Sequence, residues 1–140
     1  MATAEATIPV LLNDRLEDLV LSPALPISWP EVPFTPPSDG KYLEVRFLPN
    51  FVARDYVGTA DPHRHVGLYQ VSVVHPRGAG IIKAVEVAGL VAAHFPADLA
   101  LDSADPEFRL VVTSKPSVAA PLTEEKSLRV PVTIPWRAII

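Results

Sequence analysis

Two histidines stand one residue apart in the segment Asp61-Pro62-His63-Arg64-His65. On extended backbone such a pair faces the same way, so both imidazoles could approach a single zinc or iron ion. A metal site of that kind needs a third ligand of fixed geometry, and Asp61 supplies one only if the turn folds back. Otherwise the segment reads as a solvated loop carrying two surface histidines. His75 and His94 are lone residues at element ends, and His94 is placed to complement the dipole of a helix C-terminus.

Other reactive patterns are missing. There is no G-x-S-x-G nucleophile elbow. Gly78-Ala79-Gly80 precedes a helical pattern but lacks the third glycine of a dinucleotide fingerprint and the lysine of a phosphate loop, so it reads as a strand-to-helix turn. Glu124-Glu125 lies in a polar stretch with no apolar burial to raise a carboxyl pKa. The chain has no cysteine, which removes disulfides, thiolate metal sites and cysteine nucleophiles together and fits a reducing cytosol. Aromatic residues make up 7%, and none are interleaved with bases as a stacking platform. A net charge of −4 argues against a free-standing nucleic-acid binder. The charge is uneven: residues 1–40 hold six acids against Arg15 alone, and the rest hold eleven bases and ten acids. No secretion signal is legible, and no apolar run approaches the ~20 residues that span a bilayer. These features predict a soluble, intracellular, non-catalytic domain without a cofactor.

The elements that would carry such a domain follow from periodicity. In 140 residues there is room for one domain with a real core. Residues 8–21 predict an amphipathic helix with Ile8, Leu12, Leu16 and Leu19 on one face, Thr7 as its cap and Arg15 snorkelling from beside the apolar arc. Residues 22–40 contain six of the sixteen prolines and predict an extended wrap, with a short edge strand near Ile27 and with Trp29 and Phe34 as anchors. Alternation predicts a strand over 42–48, ended by Pro49, then a long loop over 50–64. Residues 65–75 are apolar on both parities and predict a central strand. A second helix is expected over 81–95; Leu90 falls within its polar stripe of Lys83, Glu86 and His94, and with Val87 it is a candidate subunit contact. A loop over 96–108 leads to strands over 108–114 and 127–137. In the last of these, Pro131 and Pro135 share the parity opposite Val130, Val132, Ile134 and Trp136. Their missing donors point to one side, which predicts an edge strand. The sum is an α+β domain: a mainly antiparallel sheet of four to five strands with two helices on one face.

Several runs carry a resemblance. Ile27, Trp29, Pro30, Phe34 and Pro36, followed by Tyr42, Leu43, Val45, Phe47, Leu48 and Pro49, match x-I-x-W-P-N-x-x-F-x-P and Y-L-x-V-x-F-L-P. Gly67, Gln70, Val71, Val73, Pro76, Gly78 and Gly80 match G-x-x-Q-V-x-V-x-x-P-x-G-x-G. VAAHFP, with His94, Phe95 and Pro96, and the run from Val130 to Arg137 match the last two motifs. In this order the motifs resemble the phage tail-terminator-like proteins, related in fold to the terminators of lambda-like siphophages. Glu31 stands where asparagine is usual, and the 50–64 loop aligns with nothing.

The resemblance implies a structural virion protein, made in the host bacterial cytoplasm, and no enzyme. It implies a homohexameric ring that caps the tail tube, stops its polymerisation and meets the head-completion or connector protein. DNA would pass through without specific binding, and no membrane is involved. On this reading the proline-rich wrap and sheet edge, Pro131 and Pro135 included, form the ring contact. The loop residues Phe51, Arg54, Asp55, Tyr56 and Arg64 would order on docking to the tail tube protein. Two alternatives stay open: another head–tail connection or minor tail protein, and a small metal- or ligand-binding protein using His63 and His65.

Overall fold

The computed structural model describes residues 3–22 and 24–140. Pro23, which the sequence reading placed beyond the first helix as its stop, lies outside the described residues. Helix α1 spans Ala4–Glu17 and begins one turn earlier than periodicity indicated, because Thr3 and not Thr7 is the cap. The Thr3 hydroxyl accepts from the Ala6 N–H at 3.3 Å, satisfying one of the helix's free donors. Ile8, Leu12 and Leu16 are buried as their spacing requires; Leu19 packs on the core beyond the helix end.

A two-residue strand, β1 (Ile27–Ser28), precedes β2 (Tyr42–Ala53) and β3 (Arg64–Pro76). Pro49 does not end β2. The Leu43 N–H bonds to Pro26 on the β1 side, so by alternation the Pro49 nitrogen also faces away from β3, where a missing donor leaves no ladder bond unmade. The register then shifts between Pro49 and Phe51, and pairing continues to Ala53 opposite Arg64. The connection expected over 50–64 is thus a hairpin tip at 54–63. Beyond β3, Gly78 and Gly80 turn the chain with φ of 94° and 79°, a left-handed path suited to glycine. Helix α2 (Ile82–His94) follows, buried along Ala84, Ala88, Val91 and Ala92.

The rest of the chain forms β4 (Ala100–Ala104), β5 (Glu107–Val112), β6 (Ser117–Val118), β7 (Leu122–Thr123) and β8 (Ser127–Ile139). Together the strands make one eight-stranded sheet ordered β1-β2-β3-β8-β5-β4, with β6 and β7 also on β8. Among the described residues, only the β1–β2 pair is parallel. Four to five strands were expected; the additional ones are β4, within the presumed 96–108 loop, and two-residue pieces too short to show a period. Rows of apolar side chains cross the sheet in register: Leu43, Val73 and Val130; Val45, Val71 and Val132; Phe47, Tyr69 and Ile134. Helices α1 and α2 close over this core.

The edge-strand reading of β8 is corrected by the topology. This strand is interior, paired along its whole length to β3 and on its other side to β5, β6 and β7 in succession. The two prolines do direct their missing donors to that second side. Their carbonyls still accept there, from Thr113 N–H onto Pro135 at 3.1 Å and from Ala119 N–H onto Pro131 at 2.9 Å. The pairing strand is broken into three short pieces where a continuous ladder would need donors that proline lacks. Pro131 is buried and Pro135 half-buried, so neither belongs to an open edge.

A clasp joins the helices. The Arg15 guanidinium donates twice to the His94 carbonyl, at 3.0 and 2.8 Å, and His94 Nε2 lies 2.5 Å from the Arg15 carbonyl. Arg15 therefore does not reach out to solvent: it caps the C-terminus of α2. Trp29 packs on the core, and Phe34 meets Tyr42 with ring centroids 5.0 Å apart, so both hold the wrap to the sheet.

Candidate assembly surfaces

Apart from Pro131 and Pro135, which lie within β8, the candidate residues fall near opposite ends of the β2–β3 hairpin. At one end, Phe51 sits in β2 with its side chain exposed. Arg54, Asp55 and Tyr56 form the tip beyond it. This tip folds on itself. Arg54 donates to the Tyr56 carbonyl at 3.1 Å and to the Val57 carbonyl, and the Gly58 N–H donates to Asp61 Oδ2 at 3.0 Å. Arg64 Nε lies 3.3 Å from Asp55 Oδ2. Sequence reasoning missed Val57, whose side chain is 92% exposed.

His63 exchanges both backbone hydrogen bonds with Ile140, at 2.7 and 2.9 Å, so it extends the β3 line to His65. Asp61 turns instead toward Gly58. Among the described residues, no group of three histidine, aspartate or glutamate side chains is placed to hold a metal ion. None of the described helices is long and apolar enough to cross a membrane.

At the other end, the outer face of α2 and the segment after α1 enclose a groove of about 280 Å³. Its lining includes Val87 and Leu90 from α2 and Leu21 and Leu25 from the segment after α1, with the charged residues Lys41, Lys83 and Glu86. His75 forms part of the lining and was not singled out as functional from sequence, since a lone histidine at a strand end carries no local signal. It is only 8% exposed, and its Nε2 has no hydrogen-bond partner among the described residues. Burial, then the positive charge of Lys41 and Lys83, hold this imidazole below the ordinary value of 6.5 against the opposing pull of Asp39.

A pH dependence follows. The folded protein resists protonating His75, whereas the unfolded chain takes up that proton near 6.5. The stability held by the neutral imidazole is complete above that pH and is lost as pH falls below it. Thermal unfolding across pH 5 to 8 is expected to show this decline in the native chain and a shallower one in His75→Gln. Parallel profiles would remove His75 as the source.

A family model described as "Phage tail terminator protein" matches residues 7–136. The chain belongs to the phage tail terminator family. Terminator membership makes it a structural phage tail protein, a virion component that associates with other tail components. Five solved chains also match. One of them, whose title carries no functional description, is 30% identical and superposes with a TM-score of 0.77 over 99% of this chain and 97% of its own. No protein curated for function matches. The terminator match spans nearly all of the core, α1 from Thr7 onward, the whole of α2 and both ends of the β2–β3 hairpin.

Proposed function

We propose that this protein closes the end of a growing phage tail tube as a ring, stops tube polymerisation, and offers the surface on which head-completion proteins join. The observation that carries this reading is the tail terminator match across residues 7–136. The surface chemistry supports it. A closed ring is a heterologous contact, so each subunit needs two unlike sticky surfaces. The hairpin tip, with Tyr56 and Val57 exposed, and the α2 groove, with Leu90 exposed, are such a pair. The net charge of −4 suits a ring through which DNA passes without being held at its phosphates.

Electron microscopy of particles made without this gene tests the reading. Abnormally long, headless tail tubes are expected. Tails of normal length would overturn it, and normal tails without heads would favour a head–tail connection protein.

A further inference from the structure

The two ends of the β2–β3 hairpin are complementary. Lys41 directly precedes β2, and His75 sits near the end of β3, so the groove flanks the end of the hairpin opposite the tip. Twelve strand residues at about 3.3 Å each place the tip and the groove roughly 35 Å apart, too far for one to fill the other within a chain.

Their chemistry matches in three respects. The tip is preformed and presents two apolar side chains: Val57 and Tyr56 are 92% and 51% exposed, while Arg54 holds their own backbone carbonyls. A loop already ordered loses little conformational freedom on docking. The groove presents an apolar lining of matching kind in Leu21, Leu25, Val87 and Leu90.

The charges also complement. Asp61 has no cationic partner within 4.0 Å among the described residues, and neither Lys41 nor Lys83 has an acidic one. Asp55 is already paired to Arg64, which leaves Asp61 as the tip's available carboxylate. With Glu86 also in its lining, the groove carries two positive charges and one negative. Finally, the buried His75 Nε2 has no hydrogen-bond partner among the described residues, and a buried polar atom left in that state is costly.

We infer that the tip of one protomer seats in the α2 groove of the next copy, Val57 against Leu90 and Leu25, and Asp61 toward Lys41 and Lys83. The inference rests on the ring reading and names its repeating contact. It moves the tip from the tail tube, where sequence reasoning placed it, to a neighbouring subunit. A protrusion and a socket at opposite ends of one protomer form a head-to-tail contact that a rotation can close.

The absence of native cysteine makes the test clean. Tails carrying the Val57→Cys, Leu90→Cys double variant are oxidised mildly and run without reductant. Because the two positions are too far apart within a chain, a ladder of dimers and higher oligomers is the expected result. A Val57→Cys, Arg109→Cys pair, with the second position on an exposed part of β5, should give none. Val57 and Leu90 are both exposed, so folding should survive, and circular dichroism checks that. Asp61→Lys should weaken association by about tenfold, and adding Lys83→Glu should restore part of it.

Full incorporation into tails of ordinary length with no Val57–Leu90 cross-link would overturn the contact and leave the ring reading standing. A cross-link from Val57→Cys to the tube protein would overturn it in favour of tube docking. Absence of the protein from tails, with tail length normal in its absence, would overturn the ring reading itself.

Discussion

Gly67→Ala is expected to destabilise the protein by about 3 kcal/mol, at the upper end of the usual range for overpacking a core. A Cβ at this position would lie 2.6 Å from Trp136 Cζ2, 2.9 Å from the Leu48 carbonyl oxygen and 2.9 Å from Pro49 Cα. Two of those three neighbours are backbone, in the stretch where β2 bulges past Pro49, and cannot swing aside. The third belongs to a ring that is 2% exposed and stacked on Phe47, centroids 5.7 Å apart and planes 7° from parallel. The cause is close approach and not a special torsion. Urea unfolding of Gly67→Ala, alone and with Trp136→Leu, checks it: the second substitution should remove part of the penalty. A Gly67→Ala protein as stable as the native one would refute the packing argument.

Leu12→Ala is expected to cost about 3–4 kcal/mol, lowering Tm by roughly 10 °C. Leu12 is completely buried between Ile8 and Leu16 on α1, within the cluster that joins both helices to the sheet. Removing its side chain leaves a cavity walled by strands and a second helix, which have little room to relax. Leu90→Ala, on the exposed face of α2, should change stability by no more than ~0.5 kcal/mol. Calorimetry of the two variants side by side measures the contrast; equal losses would mean that Leu90 is not a free surface residue.

These two positions differ in how legible they were. Leu12 announces itself, because Ile8, Leu12 and Leu16 recur at helical spacing and no other arrangement buries all three together. Gly67 shows nothing locally. Its constraint comes from the Leu48 and Pro49 backbone on one side and Trp136 on the other, which reach it only because β2 and β8 pair with β3 in this register. Arg15 is a similar case. Helical periodicity placed it beside the apolar arc, and tertiary packing then set the C-terminus of α2 against it, turning a side chain expected in solvent into a cap for the His94 carbonyl.

The candidate surfaces divide in the same way. Leu90 was visible as an apolar residue within a polar stripe. The groove beside it needs Leu21, Leu25, Lys41 and His75, which come together only in the folded chain. The long loop after β2 was recognised as unusual, but its true extent depends on the Pro49 nitrogen facing the open side of β2, a matter of register.

By itself, the sequence determined the α+β class, the core faces of the long strands and helices, and the ordered motifs of the terminator family. Each is written in residues a few positions apart, where burial imposes a period of 2.0 or 3.6. Only the tertiary structure decided that β8 is interior, that three short strands share its proline-bearing side, and that the hairpin carries a protrusion at one end and a groove at the other. Those outcomes depend on which distant segments supply donors to Pro131 and Pro135 and apolar cover to α2. Such choices are made by the free energy of the whole packed chain, and no local window records them.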